Sequence, residues 1–463
     1  MTTTRPFGKV KILHFVGIGG SGMSGIAEIL LNMGYRITGS DLVETDVTRK
    51  LKALGVTIRI GHSPDNVDDN VDVVVVSSAV KETNTEVVRA KQKGIPIIRR
   101  SEMLAELMRM KYGIAIAGTH GKSTTTSIVG EILVEGGLDP TIVVGGRVVS
   151  LRSGAKLGTS DYFVAEADEF DRSFLELNPT LAVITTLEAE HLECYGSFDE
   201  LKAAFIEFAN KVPFYGSVIL CLDERSIQEI IPQIEKNIIT YGLSTQADIR
   251  ASRLFFSENG SRFDLEIRGK RISGFKSRLL GLHNVKNILA AVGVGLELDI
   301  PIKDIKNAVG RFAGVYRRFQ VKGEIAGILV VDDFAHHPTE IRATLQAAKL
   351  GYNRRVIAVF QPHLYSRTQM FYNEFGKSFF QSDVLIVTDV YAAREEPLEG
   401  VTGELIADAA RKFGHREVYY IEDRDRIPSF VLNLARPGDM IITLGAGDVW
   451  KVCDKIVDEL KGK

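Results

Sequence analysis

Short uninterrupted apolar runs recur along the chain. They are Val71–Val76 (broken only by Asp72), Ile114–Ala117, Leu181–Ile184, Ile328–Val331, Val356–Phe360, Val384–Val387 and Met440–Leu444. Each has strand length and none alternates with polar residues, which predicts strands buried on both faces of a parallel sheet. Stretches with helical spacing lie between them, Glu200–Asn210 and Thr339–Ala348 among them. Such alternation predicts an α/β architecture. One stretch, Asp248–Gly274, alternates instead and reads as β-rich.

The residues that follow these runs carry the chemistry. Gly17, Ser77, Gly118, Glu166, Asp333, Gln361, Asp389 and Gly445 all stand there. In open α/β sheets, ligands bind beyond the carboxyl ends of the strands.

Composition narrows the picture. A chain of 463 residues holds about three domains of roughly 150 residues. At 45% apolar and 25% charged, a mostly disordered chain is excluded. Lys and Arg number 57 against 59 Asp and Glu, a net charge of −2. No basic excess points to nucleic acid or anionic lipid. The three cysteines, Cys194, Cys221 and Cys453, form no CxxC pair; a disulfide framework or structural zinc is not expected, and a reducing compartment is. No run approaches the ~18 apolar residues of a membrane span, and the start of the chain reads as a strand rather than a signal peptide. The expectation is a soluble cytoplasmic protein with no membrane insertion.

Two glycine loops stand out. Residues 14–25 read HFVGIGGSGMSG, with Gly17, Gly19 and Gly22 in GxGxxG spacing between a strand and the helical run Ile26–Met33. Glycine lets the backbone approach a diphosphate, and the helix start supplies unpaired N–H groups. Asp41 ends the next strand, where a carboxylate can bind a ribose hydroxyl. NAD and other nucleotide diphosphates fit this pattern alike.

Residues 114–126 read IAIAGTHGKSTTT, opening into a helix at Thr124–Glu135. The loop N–H groups can cradle phosphates, Lys122 can reach the β/γ oxygens, and the Ser123 hydroxyl can bind Mg²⁺. The strict GxxxxGK[ST] pattern fails, because Ile116 occupies its first glycine position. Two phosphate loops on separate domains suggest ATP chemistry on a second, nucleotide-bearing substrate. An NAD-dependent oxidoreductase leaves the second loop unexplained. A non-catalytic ATP-regulated binding protein leaves the acid cluster Glu166, Asp168, Glu169 and Asp171 without a role beside His191.

These motifs together resemble the Mur ligase family, in order and over essentially the whole chain. The resemblance runs through 17–28 (GIGGSGMSGIAE), 117–126 (AGTHGKSTTT), 166–174 (EADEFDRSF), 188–195 (EAEHLECY), 281–291 (GLHNVKNILAA), 314–319 (GVYRRF), 332–340 (DDFAHHPTE), 360–368 (FQPHLYSRT) and 444–450 (LGAGDVW). It implies a Rossmann-like UDP-sugar-binding domain at 1–112, a central P-loop ATPase-type α/β domain at 113–316, and a Rossmann-like amino-acid-binding domain at 317–463, with a hinge at 314–319. The family couples ATP cleavage to amide formation through an acyl phosphate. The branch resembled most adds L-alanine to UDP-N-acetylmuramate, as a monomer or homodimer. A sibling branch attaches a recycled peptide to the same sugar, and its first loop usually departs from GIGGxGM.

The resemblance also assigns residues. The UDP-sugar falls to Gly17, Gly19, Gly20, Ser21, Gly22, Asp41, His62 and Ser77. ATP falls to Gly118, Thr119, His120, Gly121, Lys122, Ser123, Thr124, Asn284, Asn287 and Asp333. Mg²⁺ falls to Ser123, Glu166 and His191, although imidazole is not a typical Mg²⁺ ligand. Lys122, Glu166, His191, Arg317 and Arg318 are the implied catalytic residues, with Arg317 or Arg318 meeting the γ-phosphate. His336, His363 and Arg367 match the amino-acid site. Read by itself, Asn284 is also a good helix N-cap.

This chain departs from the family pattern in places. Glu190 replaces the Asp that usually precedes the metal-site histidine. Leu364 stands where some members have Arg, and Phe334 where many have Tyr. Ala204–Phe208 lacks the carbamylated lysine of many relatives, as the L-alanine-adding branch also does.

Overall fold

The apolar runs become the central strands of three sheets in the computed structural model, which describes residues 7–148, 153–393 and 395–462; the side chains of Ser21, residues 146–148 and Ser153 lie outside that description. The first sheet is wholly parallel. Its spatial order is Thr57–Ile60, Arg36–Asp41, Ile12–Val16, Val73–Val76, Ile97–Arg99. The order reverses beside Ile12–Val16, so the loops after that strand and its neighbours meet at one edge, where this topology places its ligand. Leu13, Phe15, Val16, Val74 and Val75 are fully buried, as two covered faces require.

The second sheet has ten strands. Its parallel centre runs Asn237–Gly242, Ser217–Cys221, Leu181–Ile184, Tyr112–Ala117, Tyr162–Glu166. Thr141–Val148 and Ser153–Lys156 extend one side, and Ile249–Ser257, Gly260–Ile267 and Lys270–Ser277 the other. The expected β-rich stretch is therefore three strands continuous with the main sheet, and it ends at Ser277 rather than Gly274. The third sheet runs Gln320–Ile325, Ile328–Asp333, Met440–Leu444, Val356–Phe360, Val384–Val387, Val418–Tyr420. It is parallel except at its first strand, which is antiparallel to its neighbour.

The chain is thus a three-domain α/β protein. By packing, Met1–Ser252, Asp264–Phe275 and Lys286–Ala313 form one unit, and Arg253–Phe263, Lys276–Val285 and Gly314–Lys463 form another. Among the described residues no helix is long and apolar enough to cross a membrane.

Helix starts differ from expectation at both glycine loops. The first helix is Ser21–Asn32 and the second Lys122–Glu135, each beginning ahead of its apolar periodicity. Neither Gly20 nor Gly121, the respective N-caps, makes a side-chain capping bond. Helix Leu282–Glu297 also starts early. Asn284 therefore lies inside its first turn and is not its N-cap; its amide donates to the Leu280 carbonyl at 2.8 Å.

Candidate active site

The second glycine loop leaves the buried strand Tyr112–Ala117. Ile116, which breaks the strict P-loop pattern, is a core residue of that strand and pairs with Val183 and Glu166. The turn therefore starts at Gly118. Its φ is +128°, and a Cβ there would lie 2.2 Å from Thr185 Oγ1, so only glycine fits. Gly121 has φ +84°, and a Cβ there would lie 2.4 Å from Asn287 Oδ1. That close approach brings Asn287 to the loop. Thr185 and Thr186 hold the loop from the neighbouring strand end: Thr119 N–H donates to the Thr186 carbonyl at 3.1 Å and His120 N–H to Thr186 Oγ1 at 2.8 Å. Thr124 is buried on the first turn of the helix. The helix N-terminus, without a side-chain cap, presents N–H groups and a positive dipole end to the loop, as an anion site requires.

Lys122 is held by Glu169, 2.7 and 3.0 Å from its two carboxylate oxygens, and donates to the Gly118 carbonyl at 2.7 Å. Burial alone would pull the ammonium's pKa down; Glu169, Asp168 and Glu190 reverse this and raise it. Glu169 is fully buried, and burial pushes its carboxyl up against the pull of Lys122. The sequence exposes Glu169 only as one of four clustered acids. Its partner stands 47 positions away, and no local pattern announces the pair.

Glu166 is partly buried as a residue, with its Oε1 buried; desolvation pushes its pKa up, while the Ser123 hydroxyl, Lys122 and the Gly145 N–H pull it down. Among the described residues its Oε1 has no hydrogen-bond partner. A buried carboxylate oxygen with no proton donor fits a hard cation, and the adjoining Ser123 hydroxyl fits the same role. His191 forms one group with Glu169 and Glu190, whose ligand atoms all lie within 4.8 Å of one another. Its backbone is left-handed (φ 56°), and its ring meets Phe170 edge-on at 5.2 Å. Thus Ser123 and Glu166 come together, while His191 groups with two acids outside the Mg²⁺ ligand set that the resemblance implies. His120 Nε2 lies 3.5 Å from Glu188.

The first glycine loop sits at the switch point of its sheet. Gly17 and Ile18 N–H both donate to the Ser40 carbonyl. The Asp41 carboxylate accepts from Gly19 N–H at 2.8 Å, so Asp41 shapes the loop itself. Ser77 faces Gly17 across the edge, its Oγ 3.3 Å from the position of a Gly17 Cβ. Gly20 caps the helix, and Gly22 lies within it against Arg100. The Ser21 side chain lies outside the described residues. His62 follows the strand Thr57–Ile60 and is bound through Nδ1 to Glu86 at 3.0 Å and Ser40 at 3.1 Å.

In the second unit, Asp333 ends its strand and is buried. Its carboxylate accepts from Phe319 N–H at 2.6 Å and Ala335 N–H at 2.7 Å. Burial pushes its pKa up to about 6, against the pull of Arg318 and those two N–H groups. Arg317 (φ 59°) is tied to Asp332 at 2.9 Å and to the carbonyls of Gly445 and Gly447 at 2.6 and 3.2 Å. Arg318 pairs with Glu340 at 3.3 Å. Both guanidiniums lie about 5 Å from the Phe334 ring (5.1 and 5.2 Å), so Phe334, which stands where many members have Tyr, acts as a cation–π platform. His336 lies 5.8 Å from His363, whose ring stacks on Tyr391 at 5.8 Å. Arg367 lies on the first turn of helix Tyr365–Gly376, whose N-cap, Leu364, has φ 71°. No sequence motif marks Tyr391. His283 and Asn284 fall in this unit, and Asn287 in the first.

The chain matches the catalytic domain of the Mur ligase family over residues 12–112, the Mur ligase middle domain over 116–295 and the Mur ligase glutamate ligase domain over 317–447. It is similar to the UDP-N-acetylmuramate–L-alanine ligase of Geotalea uraniireducens, 54% identical over 456 residues, which span 98% of this chain and 99% of that one. Similarity to the enzyme of that name from Geobacter sulfurreducens is 52% over 457 residues, with coverage of 98% and 99%. Among solved structures, it is similar to the UDP-N-acetylmuramate-alanine ligase MurC of Thermotoga maritima, with TM-score 0.83, 29% identity and coverage of 98% and 99%. A murein peptide ligase from Psychrobacter arcticus gives TM-score 0.72 at 26% identity, with coverage of 98% and 99%.

Proposed function

Because the chain belongs to the Mur ligase family, we propose that it joins L-alanine to the lactyl carboxylate of UDP-N-acetylmuramate. ATP is cleaved to ADP and phosphate, in the cytoplasm, as a step of peptidoglycan precursor synthesis. The observation that carries this reading is the pair of uncapped helix N-termini behind glycine loops, one in the first sheet's domain and one in the second's. It is supported by relatives of that name about half identical over the full chain.

We assign the UDP-sugar to residues 1–112, ATP to 113–316 and the amino acid to 317–463. A lactyl carboxylate oxygen attacks the γ-phosphorus as the bond to the β-phosphate oxygen breaks, giving an acyl phosphate and ADP. The alanine amine then attacks the acyl carbon, phosphate leaves, and the amine proton passes to a base. Lys122, kept cationic by its acidic neighbours, neutralises charge on the γ-phosphoryl oxygens, where transition-state charge is spread. Ser123 and Glu166 would hold Mg²⁺, with His191 beside Glu169 and Glu190 as a second locus. The ion supplies charge neutralisation on phosphate oxygens. Arg367 holds the alanine carboxylate by two parallel hydrogen bonds.

Phosphate release from ATP and UDP-N-acetylmuramate, with L-alanine, glycine, L-serine and D-glutamate in turn, tests the reading. L-Alanine should be preferred, glycine and L-serine slow, and D-glutamate inert. No release with L-alanine, or D-glutamate as the better substrate, overturns it.

A further inference from the structure

One fully buried carboxylate in the first domain belongs to no motif. Glu86 sits on the first turn of helix Thr85–Gln92. Its Oε1 accepts from His62 Nδ1 at 3.0 Å, Asn66 Nδ2 at 2.8 Å and Ser63 N–H at 3.3 Å. Its Oε2 accepts from the Ser40 hydroxyl at 2.7 Å and His14 Nε2 at 2.9 Å. Burial pushes its pKa up, but hydrogen bonds from His14, Asn66 and Ser40 outweigh this and bring it to about 2. An ionised carboxylate only accepts, so the hydrogens in this network are assigned: His62 donates from Nδ1.

Fixing one ring nitrogen decides what the other can do. With Nδ1 engaged, Nε2 is the atom by which His62 can meet a ligand. Its side chain is 19% exposed, and Nε2 makes no hydrogen bond to any described residue. His62 stands just beyond the carboxyl end of Thr57–Ile60. The adjacent strand ends carry Asp41 and the loop Gly17–Gly22.

Building on the proposed function, we propose that Glu86 is a positioning residue for the UDP-sugar: it holds His62 as an Nδ1–H donor, so that Nε2 meets the UDP moiety. Ser40 shares the same carboxylate, and its carbonyl receives the first two N–H groups of the glycine loop. Glu86 therefore couples the histidine to that loop.

The test is calorimetry on the full chain with UDP-N-acetylmuramate and with UDP alone, using Glu86→Gln, His62→Ala and the double variant. Glu86→Gln should weaken both ligands alike, by about tenfold to a hundredfold, with the KM for ATP unchanged. The double variant should bind within about twofold of His62→Ala, because independent effects would multiply. Wild-type affinity in Glu86→Gln, multiplying losses, or an equal rise in the KM for ATP would overturn the proposal. If Glu86→Gln does not fold, nitrogen-15 histidine spectra of the wild type decide: a neutral His62 protonated on Nε2 alone is incompatible with it. Wild-type protein that binds neither ligand would instead overturn the proposed function.

Discussion

Replacing Lys122 by methionine should have two separable consequences. The ammonium contacts both oxygens of Glu169 at 2.7 and 3.0 Å, and the Glu169 side chain is 0% exposed. Methionine keeps the chain length and leaves that carboxylate buried, near Asp168, with no cation on it. Removing one partner of a buried ion pair costs about 3–5 kcal/mol, most of it the penalty of the stranded charge. The variant should therefore be less stable by that amount at neutral pH. The loss should shrink on acidification, because burial already pushes Glu169's carboxyl up. A folded-state pKa above the unfolded one restores stability as pH falls through it. Adding Glu169→Gln removes the stranded charge, and the double variant should return to within about 1 kcal/mol of wild type. Activity should not follow. Both variants lack the cation proposed to act on the γ-phosphoryl group and should lose well over tenfold in kcat, each tenfold being about 1.4 kcal/mol. Urea denaturation at pH 5 and pH 8 with phosphate-release kinetics reads both. A single variant within about 1 kcal/mol of wild type at pH 8, or a double variant no more stable than it, would refute the ion-pair argument. A double variant with restored turnover would refute the phosphoryl role.

Three further outcomes are expected. Gly118→Ala places a Cβ 2.2 Å from Thr185 Oγ1 at φ +128°; it should cost about 1–3 kcal/mol of stability and most of the ATP-dependent turnover, and Thr185→Ala should recover part of the melting temperature. Asp333, raised from 3.8 to about 6, stabilises the fold below pH 3.8 relative to neutral pH and loses that contribution as pH rises through about 6. The difference is roughly 3 kcal/mol, so urea midpoints of wild type minus Asp333→Asn should fall between pH 4 and pH 7, and a flat difference would contradict the burial argument. Arg367→Ala should lower kcat/KM by roughly 2–5 kcal/mol for L-alanine, glycine and L-serine alike; a loss confined to one of them would place the carboxylate elsewhere.

The strands were legible because both faces of each central strand are covered: the runs Leu181–Ile184, Val356–Phe360, Val384–Val387 and Met440–Leu444 are strands with those same bounds. Positions that follow or end a strand were legible too: Gly118 opens a turn directly after its strand and Asp333 ends one. Chemistry assembled across the chain was not. Glu86 reads locally as one acid on a short helix, and its five donors come from positions 14, 40, 62, 63 and 66. Arg317 reads as half of a basic pair at a hinge, whereas its guanidinium is taken up by Asp332 and two carbonyls more than a hundred positions away.

The misplaced helix starts are the most informative failure. Sequence rules find a helix N-terminus by a capping Ser, Thr, Asp or Asn and the apolar period behind it. At Ser21 and Lys122 the cap is glycine and makes no side-chain bond, and the first turn carries little apolar pattern. A capping side chain would occupy N–H groups that an anionic ligand must reach. An enzyme that binds phosphate at these two helices has to leave them uncapped. A phosphate bound at these two helices would take the place of the missing cap, so the sequence rule fails at the same two positions that support the nucleotide sites proposed for this chain.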